Sequence, residues 1–287
     1  MPVNSPPTVI EPLVIGSEEH RGLLARFFIE SHIEYVPEQI EWPVLGAEDL
    51  ARLRGLPFWQ EAVSTEHITS NTVTAGAALE TDPDVREAIA LQGFEERRHA
   101  RLLAKLTAHY GISIEPPSQF ELQSLEADFL FAGFGECFDS FFAFGLFALA
   151  RESGLFPPAL VDIFEPVMQE EARHILFFVN WLRSRRARLV WWKRPAFRVR
   201  CAGIILKQIA SRVKTARTLG RESQETSENF TLTAHQSLNA PVTLHHLLGK
   251  CLSENDRRMS IYDPRLLRPR LVPGIARLLY RCMPSRI

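Results

Sequence analysis

Leu23, Leu24, Phe27 and Phe28 recur at the three- and four-residue spacing that puts apolar side chains on one face of a helix. The spacing predicts a first helix over about 20–36, following a Pro-rich, acidic arm at residues 1–20 and leading into a connection marked by Pro37 and Pro43. A long helical run then starts near Pro57, a favourable first-turn residue, and continues to about Glu80. Thr81-Asp82-Pro83 breaks it and supplies an N-cap for a second long helix, which Gly111 closes after Tyr110. A third is expected over about 118–153 and a fourth from Pro157 and Pro158 through His174 towards Arg186. The short connections at 81–83 and 154–157 imply two antiparallel helical hairpins. The Gly111–Pro117 stretch between them is expected to cross the bundle. A basic helix follows at about 195–217, then a polar loop at 220–232, a short helix around 241–258, and a last segment from Pro264 to Ile287 carrying leucines among arginines. The expected organisation is all-α: residues 1–54 as an N-terminal arm and helix, 55–186 as a four-helix bundle, and 187–287 as a basic helical extension.

One pattern occurs twice on these helices. Glu95-Glu96-Arg97-Arg98-His99 returns as Glu170-Glu171-Ala172-Arg173-His174. Each copy contains Glu-x-x-His, which puts a carboxylate and an imidazole on one helix face. A lone Glu-x-x-His means little in a chain with this many Glu and with nine His. The shared flanks and the place of each copy within its hairpin raise its weight. Glu96 and His99 lie 14 and 17 residues beyond the turn at Asp82, and Glu66 lies 16 before it. At a rise of about 1.5 Å per residue these are at one height. In the second hairpin Glu136 and Asp139 match the height of Glu171 and His174. Glu136 is the preferred ligand because a longer carboxylate bridges two ions more easily. Asp139, three residues on and on the same face, is placed as an outer partner or an additional ligand. The six candidate ligands are therefore Glu66, Glu96, His99, Glu136, Glu171 and His174. Glu95, Arg97 and Glu170 are assigned to surface ion pairing, Arg98 and Arg173 to outer carboxylates or solvent, and His67 to the core or to a supporting position behind the ligands.

Four carboxylates neutralise two divalent ions, and imidazole suits iron or manganese. The implied cofactor is a pair of iron ions, with a manganese/iron pair as the alternative. The four cysteines form no CxxC pair, which argues against thiolate zinc or iron–sulfur sites and against a disulfide framework. No basic, then long apolar, leader opens the chain, and no uninterrupted apolar stretch reaches a membrane span, so a cytoplasmic location, peripheral to a membrane at most, is expected.

The ligand set resembles that of the ferritin-like di-iron carboxylate superfamily, over about residues 55–186. The resemblance implies that Glu96 and Glu171 bridge the metals, that His99 and His174 each ligate one ion, and that Glu66 and Glu136 are terminal. It also implies chemistry with O2 and an external electron donor. No Tyr is expected near the site, which counts against radical generation, and the lack of CxxC excludes a rubredoxin module.

Helix 118–153 carries Phe129, Phe131, Phe134, Phe138, Phe141, Phe142, Phe144 and Phe147. Phenylalanine all round a helix means burial on most faces; it also tilts the reading towards an apolar pocket beside the metals. Between Glu171 and Glu222 there is no acidic residue, although arginines and lysines crowd 183–217. That segment, with Trp191 and Trp192, resembles an interfacial helix, or a dock for an anionic carrier protein. Nucleic-acid binding is not expected, since the net charge is -1 and no motif accompanies the basic run; a homodimer is compatible with the pattern. The function expected first is an oxidase or oxygenase acting on an apolar small molecule or carrier-bound substrate. The alternatives are a ferroxidase or peroxidase without organic substrate, and a non-enzymatic helical scaffold at a membrane surface.

Overall fold

In the computed structural model, the described residues are 13–56, 58–116, 121–154, 156–219 and 243–283, with side chains of 213–219 excluded. They are all-helical. The helices are α1 (Glu18–Glu30), α2 (Ala47–Arg54), α3 (Trp59–Gly76), α4 (Pro83–His109), α5 (Leu125–Ser153), α6 (Pro158–Asp162), α7 (Glu165–Arg188), α8 (Lys193–Leu219), α9 (Leu244–Ser260) and α10 (Leu271–Cys282). Two hairpins, α3–α4 and α5–α7, form the central bundle, with α1 laid across α4 and α7, and α8 and α9 against α5. One continuous apolar core joins all of these, so the stretches 1–54, 55–186 and 187–287 share an interior from Leu24 to Ala276.

Local chemistry accounts for the boundaries. Asp82 caps α4 by accepting from the Val85 N–H, with Pro83 in the first turn. Gly111 and Gly154 end α4 and α5 in the left-handed region, at φ 65° and 64°. Helix α1 stops at Glu30, earlier than the apolar pattern suggested, because the Ser31 hydroxyl folds back onto the Phe27 carbonyl. Helix α5 starts at Leu125, not near 118, because the Asp128 carboxylate accepts from the backbone N–H groups of Gln123 and Ser124. The helix expected from Pro157 onward is split into α6 and α7: Pro166 has no N–H to offer the Asp162 carbonyl, and the chain turns there. The 220–232 loop lies outside the described residues, as do 117–120 of the expected crossing and 1–12 of the N-terminal arm.

Two glycines set the height at which the hairpins close. A Cβ on Gly93 would stand 2.4 Å from the Thr74 hydroxyl, and one on Gly133 would stand 2.2 Å from the Phe178 ring. Each glycine sits three residues before a candidate ligand, Glu96 and Glu136, so α3 meets α4, and α5 meets α7, closely within one turn of the site. Helix α5 alone among the described helices is long and apolar enough to cross a membrane, and two thirds of its most apolar window (67%) is buried within the fold. Most of its phenylalanines are core: Phe129, Phe134, Phe138, Phe141 and Phe144 are buried, packing on Phe178, Trp181 and neighbouring helices, while Phe131 is exposed.

Candidate metal centre

All six predicted residues converge in the middle of the bundle. Glu66 comes from α3, Glu96 and His99 from α4, Glu136 from α5, and Glu171 and His174 from α7. Ligand atoms of Glu66, Glu96, His99 and Glu171 lie within 4.8 Å of one another, and so do those of Glu96, Glu136 and His174. Glu96 belongs to both groups. Its carboxylate lies 2.9 Å from His174 Nδ1 and 3.7 Å from His99 Nδ1. Glu171 Oε1 also lies between the imidazoles, 3.3 Å from His99 Nδ1 and 4.0 Å from His174 Nδ1. Glu66, at 3.7 Å from His99 Nδ1, stands at one end, and Glu136 stands at the other. Ser140 holds the far oxygen of Glu171 at 2.6 Å, and Gln92 donates to Glu136 at 3.2 Å.

The remaining residues of the doubled motif have a crossed arrangement that overturns the surface reading of Glu95 and Glu170. Both are fully buried. His99 Nε2 lies 2.8 Å from Glu170, and His174 Nε2 lies 2.8 Å from Glu95. Arg98 pairs with Glu170, and Arg173 pairs with Glu95 at 3.0 Å. Each copy thus supplies its own inner carboxylate and imidazole, and its first Glu and its Arg serve the other copy. Helical spacing explains the geometry. Glu95 precedes Glu96 by about 100°, which turns it from the centre towards the facing helix. The sequence signal was there in the repetition of the whole pentad, not of Glu-x-x-His alone. Arg97 is at the surface, where it donates to the Thr74 hydroxyl at 2.9 Å instead of to a carboxylate.

The segment after α1 completes this outer layer, which the separation of residues 1–54 as an arm had missed. His32 hydrogen-bonds Glu95. The Tyr35 hydroxyl donates to Glu170 at 3.3 Å, and its ring lies under the Arg98 guanidinium at 3.9 Å. Phe28 stands under Arg173 at 4.4 Å and accepts from it through its carbonyl. Tyr35 is therefore one hydrogen bond beyond the His99–Glu170 pair, correcting the expectation that no tyrosine is near. Burial pushes its hydroxyl up to about 12. His67 is half-buried and bonds Asn71 one turn along α3, apart from the centre. Asp139 pairs with Arg212 of α8, on the wall of the adjoining cavity.

The buried carboxylates and imidazoles of the cluster shift one another's protonation strongly. Burial pushes the Glu66 carboxyl up to about 8 and raises Glu136 well above the ordinary range, with Glu96 adding its repulsion to both. Burial also disfavours ionised Glu96 and Glu95, but the His174 charge and hydrogen bonds outweigh it; Glu96 falls far below its usual value and Glu95 to about 2. Both imidazoles are raised well above theirs against the pull of burial, His99 chiefly by hydrogen bonding to Glu170 and Glu171, and His174 by the Glu96 charge and the Glu95 hydrogen bond. Without metal, then, protons occupy the places of positive charge. His99 Nδ1, His174 Nδ1 and Glu96 Oε1 are fully buried and make no well-aligned hydrogen bond among the described residues, although His174 Nδ1 and Glu96 Oε1 face each other at 2.9 Å. Unpartnered buried acceptors are costly unless something else satisfies them. Once its Nδ1 proton is displaced, each imidazole, with Nε2–H donated to Glu170 or Glu95, would present the Nδ1 lone pair inward, as a metal ligand requires. These donors fit a pair of divalent ions: four carboxylates, two imidazoles, and outer carboxylates that fix the tautomers.

A cavity of about 1070 Å³ opens directly onto the centre. Glu66, Glu96, His99, Glu136 and Glu171 form its polar floor, while Leu102, Leu106, Leu146, Phe147, Phe164 and Met168 are among its apolar walls. Small residues of α5, Ala132, Gly135 and Ala143, leave the space, and Phe131 and Phe147 are the α5 phenylalanines that face it. In comparisons with protein-family models, curated proteins and solved structures, nothing matches this chain. The fold and the site stand on their own: an all-helical bundle that holds a buried glutamate/histidine cluster able to bind metal.

Proposed function

We propose that the chain is a di-metal oxidase or oxygenase, most simply di-iron, that oxidises an apolar substrate held in the cavity beside the metals. The observation that carries this reading is the direct opening of a large apolar-walled cavity onto the inner carboxylates and His99. Its volume is at the upper end of small-molecule sites, enough for a drug-sized molecule or a medium-length chain. The cavity wall also carries polar side chains, among them Glu61, Asp128 and Asp139, so the ferroxidase reading is separated from this one by O2 uptake.

Glu66, Glu96 and His99 with Glu171 would hold one ion, and Glu136 and His174 with the shared Glu96 the other. When bound, the metal pair supplies the reducing equivalents and Lewis acidity that activate O2. The chain does the rest. Glu95 and Glu170 hold the imidazoles in their ligating tautomer, and Arg173 and Arg98 keep those carboxylates from swinging inward. Ser140 fixes the orientation of Glu171, leaving Oε1 free for the centre. The apolar residues beside the floor, Leu102, Leu106, Leu146 and Met168, would keep water from a substrate carbon held there. Tyr35, joined to His99 through Glu170, lies on a short route from the half-buried outer layer to the centre, the kind of route an electron and a proton from a reductant would take.

The test is O2 uptake by iron-loaded protein across a series of apolar compounds of increasing length. The expected result is compound-dependent uptake with an oxidised product. Ala143→Phe, which fills the cavity, removes the stimulation and leaves metal content unchanged. Uptake that tracks added ferrous ion alone, indifferent to every organic compound and to Ala143→Phe, would establish the ferroxidase reading instead.

A further inference from the structure

Helix α8 has two dissimilar faces. Phe197, Cys201, Ile204, Gln208 and Arg212 follow helical spacing on the inner one, where Gln208 donates to the Phe131 carbonyl at 2.8 Å. Gln208, Ser211 and Arg212 wall the cavity. The outer face carries Val199 and Leu206, seven residues apart and both exposed, and the stripe runs back into Trp192 and Trp191, exposed at 60% and 74%. Two indoles standing edge to face in water, 5.7 Å between ring centres, are an unusual surface feature.

Cations flank this stripe. Arg183, Arg186, Lys193, Arg198 and Lys207 make no ion pair with any described residue. Arg194 is spent on the carbonyls of Leu189 and Ala187, and Arg200 on Glu126. Burial first, and then the charges of Arg198, Arg183 and Arg194, hold Arg186 below the usual arginine range. These guanidiniums repel one another, and Arg183, Arg186 and Arg198 have no carboxylate partner among the described residues.

We propose that the outer face of α8, together with the Trp191–Trp192 corner, docks on an anionic lipid surface. The unpaired cations meet headgroup phosphates, and the indoles with Val199 and Leu206 enter the boundary with the acyl chains. Tryptophan at the headgroup level and a narrow apolar stripe between basic flanks are the features of a helix lying in that plane. A second copy of the chain is the poorer occupant, because a two-fold interface would press the same unpaired cations against themselves. Docking would leave α8 alone between the lipid and the cavity, a separation of about 10 Å. Entry of a lipid-dissolved substrate is a corollary that rests on the oxidase reading; the docking itself does not.

The experiment is flotation of the full chain, metal-free and metal-loaded, with phosphatidylcholine vesicles and with vesicles that also contain phosphatidylglycerol. We expect at least tenfold tighter binding to the anionic vesicles, weakening as salt rises, with a blue shift of tryptophan emission. Arg186→Gln with Arg198→Gln should weaken binding about 25-fold, from about 5-fold per cation near the surface. Trp191→Ala with Trp192→Ala should abolish the blue shift. Arg151→Gln, a cation paired elsewhere on the surface, should change nothing. Circular dichroism verifies that each variant is folded. Equal binding to the two vesicles, or none, overturns the proposal. So does a homodimer that the tryptophan variant dissociates, since it would give the face to a second copy. Because metal-free protein is tested as well, failure here leaves the metal reading intact.

Discussion

Glu95→Gln removes one charge and almost no volume, yet it should be among the most damaging substitutions in the molecule. Glu95 and Arg173 are both fully buried, 3.0 Å apart. The same carboxylate accepts from His174 at 2.8 Å and from His32. Glutamine still accepts from the imidazole, but its amide turns a donor towards Arg173, leaving a buried guanidinium with only the more distant Glu170 carboxylate, at 3.9 Å, as counter-charge. Breaking a buried pair in this way costs about 3–5 kcal/mol. Set against the about 5–15 kcal/mol that holds a domain folded, that is a large fraction. Arg151, exposed at 43% and paired with Asp162 and Glu165, supplies the contrast: its removal should cost at most about 1 kcal/mol. The assay is urea unfolding of metal-free protein with the denaturant slope held in common. The double variant Glu95→Gln, Arg173→Met should recover much of the loss, because replacing both partners takes the orphaned charge away. Metal affinity should fall by about 10–100-fold for Glu95→Gln, through the loosened His174. A loss below about 1 kcal/mol, or a double variant worse than the single one, would refute the crossed arrangement.

Metal loading should also be strongly pH-dependent. In the metal-free state Glu66 titrates at about 8, and Glu136, His99 and His174 lie well above their ordinary values, so protons occupy the cluster at neutral pH. A metal ion must displace them, and affinity should weaken as pH falls below about 8. Calorimetric titration in buffers of different ionisation enthalpy measures the released protons; loading that releases none contradicts the charge account. Gly133→Ala places a methyl 2.2 Å from Phe178. The overpacking, about 1–3 kcal/mol, should exceed the helix-propensity gain of about 1 kcal/mol, and a rise in the urea midpoint would show that α5 and α7 stand further apart.

Much of this fold was readable along the chain, because its long helices bear their own punctuation. Asp82-Pro83, Gly111 and Gly154 end or begin helices where local chemistry alone demands it. The meeting of Glu66 with Glu96 and of Glu136 with Glu171 follows from counting residues to a turn, since helical rise is constant. What lay beyond reach depends on contacts distant in sequence. Glu95 and Glu170 read as surface charge until the facing helix is in place to supply an imidazole and an arginine. Tyr35 and His32 belong to an extended segment with no periodicity, and only the packing of α1 on α4 and α7 delivers them to the site. The split between α6 and α7 needed Pro166 to be weighed against an apolar pattern that runs through it.

The central claim is that six side chains on four helices form a two-ion centre, and metal stoichiometry tests it most directly. Metal-free protein titrated anaerobically with ferrous ion, and then analysed for bound iron, should take up about two ions per chain. Glu96→Ala, which removes the one carboxylate common to both donor groups, should abolish high-affinity loading of the pair while circular dichroism shows the helices intact. A folded wild-type chain that binds no iron, or a Glu96→Ala variant that still takes up two ions, would contradict the account.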